Sequence, residues 1–210
     1  MSNYNEKTLM GVAKFTSWLC TPFIVPTLGI ALLFLLTYLR LLPWSYRILV
    51  VIAVFCFTYI MPRLTIFLYR KMNGWTLREF GSREKRLVPY ILTIISYGFC
   101  LTLLERFNVP RYMSGIVVAS LLALVLCAII NVWWKISSHM VSIGGLAGGL
   151  MCFGELFAFN PIWWLCLVLI LAGCLGTSRI TLRIHTLSQV LGGFFLGVVC
   201  AIVGILYYVI

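Results

Sequence analysis

The chain contains two histidines, and each stands where basic and hydroxyl side chains gather. His139 closes the run Lys135-Ile136-Ser137-Ser138-His139. His185 lies in Ser178-Arg179-Ile180-Thr181-Leu182-Arg183-Ile184-His185-Thr186-Leu187-Ser188-Gln189. A basic cluster, Arg83-Glu84-Lys85-Arg86, precedes both. This inventory suits phosphoryl transfer. Arginine and lysine neutralise phosphate oxygens, and arginine does so with two parallel hydrogen bonds. Backbone N–H groups left unbonded at helix starts near Ser138 and Thr186 add an anion site. One imidazole can attack phosphorus as a nucleophile. The other can protonate the leaving oxygen as general acid.

The segments that must bring these residues together are apolar. The chain is 62% hydrophobic and only 10% charged over 210 residues, with a mean hydropathy of +1.07. Soluble domains are about 45–50% apolar and about 25% charged, so this chain must use lipid as part of its solvent. Seven runs approach the roughly 20 residues a membrane helix needs: 18–39, 48–69, 87–104, 112–133, 140–157, 161–175 and 187–208. The first is too long for the apolar part of a cleavable leader and is read as a membrane segment. Pro22 and Pro26 can kink it or stop it from crossing. The expected fold is therefore all-α, a polytopic transmembrane bundle of six or seven helices forming one membrane domain over 1–210. Two crossings separate Arg86 from Ser137, and two more separate His139 from Ser178. The three polar stretches, all within 83–189, should share one membrane face.

Set in this frame, the motifs resemble those of the type 2 phosphatidic acid phosphatase / haloperoxidase family, in its integral membrane lipid phosphatase branch. Ser178-Arg179, five residues, His185 and three residues to position 189 resemble the third family signature, Ser-Arg, five residues, His, three residues, Asp. Ser137-Ser138-His139 resembles the second, Pro-Ser-Gly-His. Arg83 to Arg86, followed by Pro89, resembles the first, a Lys and six residues later Arg-Pro. The resemblance implies a helical bundle that hydrolyses lipid phosphates without metal or other cofactor. It implies a nucleophile at His185, becoming a phosphohistidine, and a general acid at His139. It implies a phosphate clamp from Arg179 with Arg83, Lys85 or Arg86, assisted by Ser137, the backbone at Ser138, and Ser178 as the first residue of the third motif. The chain departs from the pattern in several places. Gln189 stands where the family has Asp, Ile136 and Ser138 replace Pro and Gly, and Glu79 stands seven residues before Arg86 where a Lys is expected. Gln189 can accept a bond from the His185 ring one turn away, but it lacks the charge that would stabilise an imidazolium. Thr186-Leu187-Ser188-Gln189 also reads as a capping box. A weakened or inactive relative that binds lipid phosphate headgroups is the alternative reading.

Other features narrow the field. The net charge of +11 is carried by short connectors between apolar runs, which favours lipid phosphates over nucleic acid as partner. None of the eight cysteines forms a C-x-x-C pair, and none has zinc spacing with histidine. Metal-dependent phosphoryl chemistry needs several oxygen ligands, and the motifs offer only Glu84 nearby, so no metal is expected. Gly144, Gly145, Gly148 and Gly149 form overlapping G-x-x-x-G pairs, and Gly193, Gly197 and Ala201 continue the pattern in the last run. Such spacing lets membrane helices approach closely, and it should draw together the two helices that the histidines begin. Seven crossings would put the motif face in the cytoplasm by the positive-inside rule; six would invert it. A bacterial inner membrane, with its lipids as partners and a lipid phosphate as substrate, is the expected setting.

Overall fold

The computed structural model describes residues 10, 11, 13, 14, 16, 17, 21–74 and 87–209. Arg83, Lys85 and Arg86 lie outside the described residues, as do positions 18–20 of the first apolar run. Among the described residues from 21 onward, seven α-helices follow one another: α1 (Val25–Leu36), α2 (Trp44–Met72), α3 (Leu87–Arg106), α4 (Arg111–Trp133), α5 (Ser138–Phe157), α6 (Ile162–Thr181) and α7 (Leu187–Val209). Among the described residues, α2 to α7 are the helices long and apolar enough to cross a membrane. Prolines start three of them. Pro43, Pro110 and Pro161 stand immediately before α2, α4 and α6, where the missing N–H removes no helical bond. Left-handed residues follow four of the ends: Gly74 after α2 at φ 63, Asn108 after α3 and Ala158 after α5, each at φ 50, and Arg183 after α6 at φ 52.

The first apolar run is not one continuous helix. Its α-helical part is the 12 residues of α1, flanked by 3-10 turns at Pro22–Ile24 and Tyr38–Leu41. Thr37 ends α1. Its backbone is extended, its hydroxyl donates to the Leu33 carbonyl at 2.6 Å, and it accepts from the Leu39 N–H. The segment still runs from one end of the bundle to the other. Ser17, just before it, bonds Arg179 at the end of α6, and the Tyr38 ring packs on Phe157 at the end of α5. The tighter turns rise about 2.0 Å per residue against 1.5 Å for the α-helix, so few residues cover the distance.

Expected and observed ends differ most at α6. The apolar run stops at Leu175, yet the helix continues to Thr181. The polar residues that end the run are satisfied inside the helix: Thr177 and Ser178 donate to the Gly173 and Cys174 carbonyls, each at 2.8 Å. This back-bonding lets hydroxyl residues remain helical in an apolar setting. As a result Ser178 and Arg179 sit on the last turn of α6 and not in a connector. In α2 the turn Cys56–Ile60 is a π-helix, and it is stitched to its neighbours. Ser96 of α3 donates to the Phe57 carbonyl at 2.6 Å, and the fully buried Thr58 meets Thr27 of α1 at 3.2 Å.

The closest helix contact joins α5 and α7. A Cβ at Gly148 would lie 2.8 Å from the Val198 carbonyl oxygen, and one at Gly193 would lie 2.8 Å from that of Ser137. Gly144 and Gly197 press still closer, against the backbones of Phe194 and Val141. Only glycine allows backbones this near. One apolar core fills the space among α1 to α4, with Ile30, Leu33, Val54 and Met113 fully enclosed or nearly so. A second joins α5 and α6 through Met140, Leu150 and Leu175.

Candidate functional site

The site assembles at the end of the bundle where α4 and α6 finish and α5 and α7 begin. The connector after α4 is short, and Ser137 at its end is the residue before α5. Ser137 is fully buried, and its N–H reaches the Gln189 carbonyl at 3.4 Å. Its side chain does not cap α5, which leaves the first amides of that helix free to meet an anion. Ser138 and His139 occupy the first turn of α5 and line a cavity of about 430 Å³ inside the bundle. The Ser138 carbonyl is taken by Ser142 at 3.0 Å.

α6 delivers Arg179 from the opposite direction. Its guanidinium donates from Nη1 to the Ser17 hydroxyl at 3.0 Å. The Ser17 backbone also hydrogen-bonds the His139 ring, and His139 lies within electrostatic reach of both Arg179 and His185. Ser178, buried on the same turn, spends its hydroxyl on Cys174 and so points back along its own helix. After Thr181 the chain reverses sharply. Arg183 takes a left-handed conformation at φ 52, and the N–H groups of Ile184 and His185 both turn back to the Arg179 carbonyl. This tight wrap holds His185 beside Arg179.

Gln189 serves two groups at once. Its side-chain oxygen lies 3.3 Å from His185 Nδ1 and accepts the Thr186 N–H at 3.2 Å. An amide oxygen only accepts, so the bond sets a proton on Nδ1. The ring-orienting and helix-capping readings of Gln189 are therefore both present in one atom. Lys135 crosses the site to donate from Nζ to the Ile184 carbonyl at 2.9 Å. His185 titrates below the ordinary histidine value. Burial is the main cause and the Arg179 charge the next, with a further push from Lys135; hydrogen bonds that the ring gives to the Gln189 side chain and the Lys135 backbone act against them.

Four buried side-chain atoms lack a hydrogen-bond partner among the described residues, and three of them are here: Ser137 Oγ, His139 Nδ1 and Arg179 Nε. Buried polar groups in folded proteins are nearly always paired. Two of these orphans stand at the start of α5 and the third on the last turn of α6, beside a helix N-terminus whose first amides have no side-chain cap. Among the described residues no group of three or more His, Cys, Asp or Glu side chains is placed to hold a metal ion.

Of the residues expected from sequence, Ser137, Ser138, His139, Ser178, Arg179, His185 and Gln189 gather at this one end, with Ser178 turned aside. Arg83, Lys85 and Arg86 fall outside the described residues. Sequence reading assigned no role to Ser17, Lys135 or Arg63. Lys135 was discoverable, since it opens the Ser137–His139 run. Nothing local marks Ser17, whose partner is 162 residues away.

Residues 113–209, which run from α4 to α7 and include both histidines, match a family model described as the PAP2 superfamily. No curated protein and no solved structure matches the chain.

Proposed function

We propose that this chain, which matches the PAP2 superfamily model over residues 113–209, is a membrane-embedded lipid phosphate or diphosphate phosphatase that works through a histidine nucleophile without metal. The three unpartnered atoms of Ser137, His139 and Arg179 carry the reading. Of these, the Ser137 hydroxyl and the Arg179 Nε–H offer hydrogen bonds and positive charge to one phosphate group. His185 stands beside them with Gln189 on Nδ1, so Nε2 is the nitrogen that attacks phosphorus. The bond to the leaving lipid oxygen breaks as the N–P bond forms, and His139 supplies the proton that oxygen needs. Water then attacks the phosphohistidine, releasing inorganic phosphate and restoring the ring. Arg179 and the start of α5 stabilise charge on the phosphoryl oxygens in both steps. Lys135 stiffens the His185 turn through the Ile184 carbonyl.

Gln189 also favours a second reading, a phosphate-binding relative with little turnover. A neutral amide orients the ring but adds no negative charge to the imidazolium that forms. One experiment separates the two. Phosphate release from a panel of lipid phosphates is measured in detergent with chelator present, for wild type, His185→Ala and Gln189→Asp. The phosphatase reading expects release by wild type, a loss of at least about a thousandfold in His185→Ala, and a gain of about tenfold or more in Gln189→Asp. Wild-type rates in His185→Ala, or activity that requires added magnesium, would refute it. Inactivity of all three on every lipid supports the binding protein.

A further inference from the structure

The chain before α1 reaches the site from outside the stretch that matches the PAP2 model, residues 113–209. Its described residues 10, 11, 13, 14, 16 and 17 are helical. Ala13 and Ser17, one turn apart, are buried, while Met10, Gly11 and Lys14 are exposed. One face of this stretch is therefore turned into the bundle. At Ser17 that face meets Arg179. The Ser17 hydroxyl accepts the Nη1–H at 3.0 Å, and the Ser17 backbone carbonyl accepts from the His139 ring. One residue thus touches both the cation read as the phosphate clamp and the histidine read as the general acid. The chain that follows stays close by: Thr21, Pro22 and Pro26 line the cavity that His139 also lines.

The atom that Ser17 holds is informative. The N–H groups of a guanidinium lie in one plane. The Nε–H and the Nη2–H beside it run parallel, and this edge forms the fork that grips two oxygens of a phosphate. Nη1 lies on the other side of the group. Ser17 bonds Nη1, whereas Nε is buried and without a partner among the described residues. The bond to Ser17 therefore leaves the gripping edge uncovered. An arginine has a long side chain, and ordering it on binding costs rotamer freedom. A bond that fixes it beforehand removes part of that cost. We infer that Ser17 is a positioning residue for Arg179: its hydroxyl holds the guanidinium by Nη1 and keeps the Nε edge open to one phosphate group. It touches no reacting atom. Its carbonyl ties the same brace to His139, so clamp and general acid are held from one point.

The inference rests on the reading of Arg179 as the phosphate clamp and is tested by binding, so it can fail separately from turnover. The probe is hexylphosphonate, whose C–P bond resists hydrolysis. Its affinity for the purified full chain in dodecyl maltoside is measured by calorimetry for wild type, Ser17→Ala, Ser17→Thr, Arg179→Lys, and Ser17→Ala combined with Arg179→Lys. Ser17→Ala should bind about tenfold more weakly, the scale of one hydrogen bond to a charged group. Ser17→Thr keeps the hydroxyl and should stay within about threefold of wild type. Lysine has no planar fork to orient, so adding Ser17→Ala to Arg179→Lys should change affinity by less than about twofold. A Ser17→Ala effect of equal size in both backgrounds shows a general loosening of the fold and overturns the inference. An unchanged affinity in Ser17→Ala overturns it as well. So does a tighter one, which shows the hydroxyl competing with phosphate for the guanidinium. Binding that depends on Ser17 through Arg179, in a protein that hydrolyses no lipid, upholds the inference and removes the phosphatase.

Discussion

A neutral imidazole is the first requirement of a histidine nucleophile, and the surroundings of His185 supply it. Burial and the neighbouring charges of Arg179 and Lys135 hold its pKa below the ordinary value of 6.5. The acid limb of kcat/KM should therefore lie below pH 6.5, because the ring keeps its lone pair until the pH falls through the lowered value. Lys135→Met removes one of the charges that lower it, and the limb should move upward, read from pH–rate profiles of the two proteins. The same shift links to folding. The unfolded chain binds the proton more readily, so this residue's contribution to stability declines as pH drops below about 6.5 towards the folded value. At this scale the sequence was informative where partners are neighbours along the chain. His185 and Gln189 are one helical turn apart, and Ser137 to His139 are consecutive. It was silent about Ser17, because a serine 162 positions from Arg179 leaves no pattern to read.

Helix contacts set how far apart the two histidines stand. α5 and α7 meet backbone to backbone through Gly144, Gly148, Gly193 and Gly197, and His139 and His185 lie at the starts of those helices. A side chain at Gly197 would collide with the Val141 backbone. Gly197→Leu should cost about 1–3 kcal/mol in overpacking and lower kcat by moving one histidine from the other. Thermal unfolding in detergent and a lipid phosphate assay check the two effects; an unchanged melting temperature would contradict the close approach. This seam was legible because small-residue spacing has a direct packing meaning. Helix limits were less so. Apolar counting ended α6 at Leu175, since it cannot register that Thr177 and Ser178 bond to their own helix. It also made one long span of the first run, which Thr37 and the 3-10 turns break into pieces.

Across the whole molecule, Ser17 stands at the site end, bonded to Arg179, and Tyr38 at the opposite end, packed on Phe157. A reporter fused to the N-terminus and a cysteine probe placed at Arg183, which is exposed in the connector after α6, should report the same side of the membrane. Labelling of intact and permeabilised vesicles checks this, and opposite sides would contradict it. The bundle and its polar end were legible as parity of crossings and clustering of motifs. The cavity was not, because its wall is shared among α1, α3, α4, α5 and α7 and no stretch of sequence describes a void. The glycine seam has one more consequence, for motion. α4 joins α5 and α7 in it, since a Cβ at Gly204 would strike Ala119, and backbones in such contact cannot slide without collision. These three helices form a stator. Any gate that admits a lipid must open on the other wall, where α1, α2 and α3 meet the cavity through side chains that can change rotamer. His139 and His185 are borne by the half that stays still, and the door belongs to the half that α1, α2 and α3 form.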